Sequence, residues 1–354
     1  MANQKLNECL IKDILEKNFK RVRYIVSLKA DVNTRACDGI GCSCLSVARK
    51  IGATDIAEFL ESKGAIEIKP NQEEADVLGR LYFGVLSEDE VRTTFLCGGN
   101  IEVKNKGNTP LLDALENRQY SKAKWLLKYG ADVNAVNYDG RNALSYVVED
   151  RDDEIFNEIL ERGGNIHQVD FLGNSILFGA VSNGRYARAT TLIERGADVN
   201  VRNKKGYTPL MMTCFYGNSS GVELLLKAGA NVNVRDEDKN TPLTLASRNG
   251  GNMTRDGFEM LIEAGADINA KDGFGDRAID ICIISEKWDA VCCLIEYGAF
   301  IGDENQKRLE RVDDENVREK INEAFVKRNN NKKIKNKVAE KVIKVDKFFK
   351  SFFE

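Results

Sequence analysis

The sequence predicts an all-α solenoid made of about nine copies of one helix–turn–helix unit. Three observations point there. A glycine recurs at Gly64, Gly98, Gly130, Gly163, Gly196, Gly229, Gly265 and Gly298, at steps of about 33 residues. A Thr-Pro-Leu triplet, or a variant of it, stands ahead of many of these glycines, as at Thr109-Pro110-Leu111, Thr208-Pro209-Leu210 and Thr241-Pro242-Leu243. Threonine suits a helix N-cap and proline the first helical position. Apolar residues then follow at helical spacing. Two short helices and a turn cannot bury their own apolar faces, so such a unit needs copies of itself on either side.

The clearest copy runs from Asn203 to Asn233. Thr208 caps a first helix that Gly217 closes, and a second helix carries Val222, Leu224, Leu225 and Leu226. Gly229 ends it where a left-handed residue fits, and Ala230-Asn231-Val232-Asn233 leads into a turn. This pattern resembles the ankyrin repeat, D-x-x-G-x-T-P-L-H-x-A, a second helix, then G-A-D-V-N. The segments Gly130 to Asn134, Gly196 to Asn200, Gly229 to Asn233 and Gly265 to Asn269 carry its turn half, and the resemblance covers about residues 5 to 300. It implies an ankyrin-repeat solenoid with short hairpin-like loops.

The copies follow in order. The first places Leu6, Leu10, Ile14 and Leu15 on one helix and Phe19, Val22, Ile25, Val26 and Leu28 on the next, with Lys29 where glycine is usual. Lys5, Lys12, Asp13 and Glu16 suit the polar outer face of a terminal cap. The second copy opens on Ser43-Cys44-Leu45, and its early Asp38-Gly39 predicts a longer hairpin tip. The third, about 69–103, is degenerate: KPNQEEAD reads as a longer loop, followed by a helix on Val77, Leu78, Leu81 and Phe83 and another on Val91, Phe95 and Leu96. Either drift in a tolerant repeat or a bend in the array accounts for it. Copies four to nine are cleaner, with Asn142-Ala143-Leu144, Ser175-Ile176-Leu177 and Arg277-Ala278-Ile279 replacing the triplet in copies five, six and nine. Copy eight carries extra residues within Gly250 to Gly257. The histidine that the family places after the leucine is replaced by Leu112, Ser145, Phe178, Met211, Thr244 and Asp280, which weakens a local hydrogen bond.

The array is expected to span 1–301, a helical C-terminal cap 302–328 with Leu309, Val312, Val317, Ile321, Ala324 and Phe325 inward, and a tail 332–354 after a break at Asn329-Asn330-Asn331. In the tail Val338, Val342, Val345, Phe349 and Phe352 recur at helical spacing among many lysines. Three readings stay open for it. It caps the last repeat, it lies on an anionic membrane through Lys341, Lys344, Phe348, Phe349 and Phe352, or it docks with a partner or a second tail.

Composition excludes several functions. The 354-residue chain has a formal net charge of −3, which argues against dedication to nucleic acid. The start lacks an apolar signal-peptide core and no apolar run is long enough to span a bilayer. Nine cysteines without paired spacing read as buried thiols of a reducing compartment. A soluble, cytoplasmic protein is therefore expected, the alternatives being delivery into a host cell or a peripheral place on a membrane. The single histidine, His167, stands where the family has a turn asparagine and has no nucleophile or acid to work with. Cys37, Cys42 and Cys44 cluster and Cys292-Cys293 are adjacent, but neither has zinc-site spacing. No phosphate-binding or dinucleotide loop is present. No catalytic residue, metal, cofactor or small-molecule substrate is expected, and function is expected to lie in recognition of another protein.

The resemblance implies where. Ankyrin arrays generally bind through hairpin tips and the exposed side of the first helices. Carried over repeat by repeat in copies five to nine, those positions include Tyr138 and Arg141, then Phe171 and Leu172, then Arg202, Lys204, Lys205, Tyr207, Phe215 and Tyr216, then Arg235, Asn240, Arg248 and Asn249, then Lys271, Phe274 and Ile284. The aromatics among them are expected to line one face, because tyrosine and other aromatic anchors dominate interface energetics. Packing of the same rings onto the next repeat is the competing reading. The family also implies asparaginyl hydroxylation at Asn134, Asn200 and Asn269, each with a leucine eight residues before (Leu126, Leu192, Leu261) and an acid two before (Asp132, Asp198, Asp267), against simple turn chemistry.

Overall fold

The computed structural model describes the backbone of residues 2–36, 41–84, 87–150, 152–248 and 253–350, and side chains among these from 6 to 332. All regular structure among the described residues is helical, apart from three isolated bridges in hairpin tips. The chain divides into two compact units, Met1–Phe171 and Leu172–Glu354.

The first unit holds five helix pairs: α1 (Ala2–Leu15) with α2 (Phe19–Ser27), α3 (Cys44–Lys50) with α4 (Thr54–Ser62), α5 (Gln72–Gly79) with α6 (Glu88–Leu96), α7 (Pro110–Glu116) with α8 (Tyr120–Lys128), and α9 (Ala143–Val147) with α10 (Asp153–Glu161). First helices pack on first helices, α1 on α3 and α7 on α9, and second on second, α2 on α4 and α6 on α8. The second unit repeats this rule with α11 (Ile176–Ser182) and α12 (Tyr186–Glu194), α13 (Pro209–Phe215) and α14 (Ser219–Lys227), α15 (Pro242–Arg248) and α16 (Arg255–Glu263), α17 (Ala278–Ile284) and α18 (Trp288–Glu296), and α19 (Asp303–Glu310) and α20 (Glu315–Lys350).

Local chemistry sets these boundaries. The hydroxyl of Thr208 accepts from the Met211 N–H at 3.3 Å and Pro209 opens α13. Ser175 does the same for α11 at 3.2 Å, and Asn142 for α9 at 3.0 Å. α13 is sandwiched between α11 and α15, so it buries Pro209, Leu210, Met211, Thr213 and Cys214. The second helices have one neighbour-facing stripe: Val222 and Leu225 are buried in α14 while Glu223 and Lys227 face water. The closing glycines all adopt positive φ, from +81° at Gly163 to +95° at Gly298. Lys29 takes the same conformation at +67°, so the first copy accepts left-handed strain on a side-chain-bearing residue.

Several details differ from expectation. Asp13 does not lie on the outer face of the cap; it is 1% exposed and pairs with Arg21 at 3.2 Å. KPNQEEAD is not all loop, because Asn71 caps α5 reciprocally with Glu74 and the helix starts at Gln72. In that repeat Leu78 is buried as expected and Tyr82 is buried with it, while Val77 and Leu81 are exposed, and a 3-10 turn over Arg80–Phe83 follows the helix. The missing family histidine is compensated at three positions: Ser145, Thr244 and Asp280 each accept from their own N-cap N–H, at 3.3, 2.8 and 2.9 Å. The cap is a tenth helix pair, α19 on α17 and α20 on α18, with Leu309, Val312, Ile321 and Ala324 buried and a turn near Val312. Asn329-Asn330-Asn331 do not break it, because α20 continues through them to Lys350. The predicted longer tip at Asp38-Gly39 lies outside the described residues.

Candidate partner-binding surface

The hairpin tips are built by side chains that fold back on their own loops. Asn203 Oδ1 accepts from the backbone N–H of Lys205 and of Tyr207, both at 3.0 Å, while Gly206 turns the chain at φ +79°. Asn137 holds its tip the same way through Asp139 and Arg141, and Asp272 through Phe274 and Asp276. Adjacent tips then join by backbone bonds. In the first unit the Phe171 N–H donates to Asp139 O at 2.7 Å. In the second, Lys204 donates to Leu172 O at 2.9 Å and Gly273 to Asp238 O at 2.8 Å. Side chains leaving these tips are therefore held at a fixed spacing by the stack.

The expected binding residues divide between the two units: Tyr138, Arg141 and Phe171 in the first, and the rest in the second. Tyr138 is 81% exposed, and its ring lies on Gly107, where a Cβ would come within 2.5 Å of it. Phe171 is exposed. Arg141 is engaged within its own repeat: it donates to Ser145 O and to Glu149, both at 2.7 Å, and stacks 4.2 Å from the centre of the Tyr146 ring. Burial pushes the Glu149 carboxyl up, and Arg141 opposes the shift.

In the second unit Leu172, Lys204, Lys205 and Arg202 are exposed. Tyr216 is 54% exposed and meets the half-buried Phe215 edge to face at 5.3 Å. Tyr207 is half-buried, and burial, then Asp236 and Asp238, push its phenol up. Phe274 is 76% exposed beneath the guanidinium of Arg248, which lies 5.0 Å from its centre and is also paired with Asp272. Asn240 is buried and bonded to Asp236, so it builds the turn and offers nothing to a partner. Asn249 lies outside the described residues. Sequence reasoning missed Phe300, exposed with Arg277 stacked 4.7 Å from its centre, because it falls where the repeat pattern fades.

Comparison with protein families places two matches on this framework. The family of ankyrin repeats in three copies matches residues 177–272, and the single ankyrin repeat matches 106–138. The chain carries ankyrin repeats. No curated protein matches it.

Ankyrin repeats are generally protein–protein interaction modules and typically not enzymes. The turn asparagines act as clamps between repeats. Asn134 Oδ1 accepts from Asn165 N at 2.7 Å, Asn200 from Asn231 N at 2.8 Å and Asn269 from Phe300 N at 2.8 Å. His167 replaces that residue in its own turn and is exposed. Cys42, Cys44, Cys97, Cys214, Cys282, Cys292 and Cys293 are buried free thiols, while Cys9 is exposed and Cys37 lies outside the described residues. Burial pushes the Cys44 and Cys293 thiols up to about 12, which keeps them protonated and unreactive. Among the described residues no cluster of three or more His, Cys, Asp or Glu is placed to hold a metal ion, and no helix is long and apolar enough to cross a membrane. The side chains of Lys341, Lys344, Phe348 and Phe349, and the whole of Phe352, lie outside the described residues.

Proposed function

We propose that this protein is a non-catalytic adaptor, scaffold or inhibitor that binds another protein through its hairpin tips and the exposed ends of its first helices. The observation that carries this reading is the exposure of large apolar side chains on rigid, backbone-bonded tips, foremost Tyr138 in the first unit and Phe274 in the second. An ordered aromatic loses little conformational entropy on binding, which is why such residues become hot spots. Tyr216, Leu172 and Phe171 support it as further exposed apolar groups. Tyr207, Phe215 and Arg141 rank lower than the sequence suggested, being half-buried or already engaged. The test is affinity capture with mass spectrometry from a cytoplasmic extract, followed by affinities for Tyr138→Ala, Tyr216→Ala and Phe274→Ala. Each is expected to cost about 1–2 kcal/mol of partner binding. Three unchanged affinities with intact helicity would refute it.

A second reading concerns the tail. Because α20 runs unbroken from the cap to Lys350, the basic segment continues the cap helix instead of folding back after a break. This supports a peripheral membrane contact that sets location while the array recruits its partner. Co-sedimentation with phosphatidylserine vesicles, unchanged on removal of 332–354, would reject it. For Asn134, Asn200 and Asn269 the clamp geometry supports a structural role, and an added oxygen in the intact mass after expression with an asparaginyl hydroxylase would reassign them.

A further inference from the structure

In the second unit three cations occupy one register of consecutive repeats: Arg202, Arg235 and Lys271. The same register holds Val136 and Val169 in the two repeats before. All three cations are exposed, and among the described residues none makes an ion pair, although Arg248, Arg255 and Arg277 in the same unit are each paired with carboxylates. The two guanidiniums are oriented along the stack by neutral partners: Arg202 Nη2 donates to Arg235 O at 2.6 Å and Arg235 Nη1 to Lys271 O at 2.9 Å. Their charge is positioned but not neutralised. Lys204, Lys205 and Lys239, exposed on the same tips, add to it. Glu237 and Asp238 are exposed there too, whereas Asp236 and Asp272 are buried and hold the turns. A local row of unpaired cations on a chain of net charge −3 is a complementary surface for acid.

We propose that this row seats an extended acidic segment of a partner protein, with carboxylates at every third residue. The spacing follows from packing. Stacked helices lie about 8–10 Å apart, and a chain in the extended polyproline-II form has three residues per turn with a rise of about 3.1 Å per residue, so every third side chain returns to the same face about one repeat further on. Phe274, beside Lys271 on the ninth repeat's tip, offers an apolar anchor at one end. The interleaved Glu237 and Asp238 disfavour a polyphosphate backbone. The proposal rests on the reading that the tips of repeats seven to nine bind a protein.

The test uses the full chain and three probes: a peptide with glutamates at every third position and a terminal phenylalanine, a peptide of the same composition with the glutamates adjacent, and a single-stranded oligodeoxynucleotide. Random peptide display on the full chain runs in parallel. The spaced peptide is expected to bind best, to weaken with salt, and to lose about tenfold or more on R202E/R235E/K271E and less on R202Q/R235Q/K271Q. Display is expected to enrich the same spacing. Equal binding of the two peptides, no effect of charge reversal in a folded variant, tighter binding of the oligonucleotide, or no peptide binding at low salt would each overturn it. Displayed peptides that depend on Tyr216 and Phe274 but ignore charge reversal would sink this inference and leave the broader function standing. Peptides indifferent to both would sink the two together.

Discussion

Asn233 tests whether the turn asparagines hold the repeats together. Its Oδ1 accepts from the Asp267 N–H at 2.8 Å and its Nδ2 donates to Gly265 O at 2.9 Å, both in the following repeat. Replacing it with alanine removes both bonds. The freed groups lie on exposed turns, where water can rehydrate them, so no buried-group penalty is added. At a net of about 0.5–1.5 kcal/mol per bond, Asn233→Ala should cost about 1–3 kcal/mol. Asn233→Asp keeps the acceptor and loses the donor, so it should cost about half of that. Urea unfolding followed by helicity gives the global number, read with the slope because a weakened interface can uncouple a repeat array. Amide exchange at Asp267 gives the local one: its protection should fall in the alanine variant and persist in the aspartate variant. A total loss below about 0.3 kcal/mol, or equal losses for the two substitutions, would refute the clamp.

Four further outcomes are expected. Lys29→Gly should stabilise the first repeat by about 0.5–1 kcal/mol in thermal unfolding, because glycine relieves the left-handed backbone at φ +67°. Gly79→Ala should destabilise by about 1–3 kcal/mol, since its Cβ would sit 2.2 Å from Asn100 O in a wall of backbone. In the native protein a thiol reagent at pH 8 should modify Cys9 promptly and Cys44 and Cys293 only after unfolding. The same two thiols predict alkaline lability. Their folded values lie near 12 against an ordinary 9.0, so the folded state holds protons that the unfolded chain releases; their contribution is present below pH 9 and is lost as the pH rises towards 12. Urea midpoints from pH 8 to 11 read this, and a C44A/C293A variant should flatten the decline.

The repeat was legible because its determinants are local. A threonine cap, a proline at the first helical position and a glycine at positive φ act within a few residues, so Thr208, Pro209 and Gly229 announced their roles in the linear chain. Where local signals were weak the reading slipped. In the third repeat Val77 and Leu78 are adjacent apolar residues, and spacing alone did not tell whether Val77 with Leu81 or Leu78 with Tyr82 turns inward; the second pair is the buried one. Three consecutive asparagines looked like a break, yet α20 passes through them. Asparagine costs a helix only a few tenths of a kcal/mol per residue, about what neighbouring contacts restore.

By itself the sequence determined the unit, its period and the register of each tip, and with them the candidate row of binding positions. Only the tertiary structure decided which of those positions remain available. Exposure belongs to the neighbours of a residue: Tyr207 is half covered while Phe274, at the same kind of tip, stands open. Arg141 is engaged by Glu149 and Tyr146, whereas Arg202 and Arg235 donate to carbonyl oxygens and have no ion pair among the described residues. Periodicity places a side chain on a surface, and the packing of adjacent repeats settles whether that surface is free.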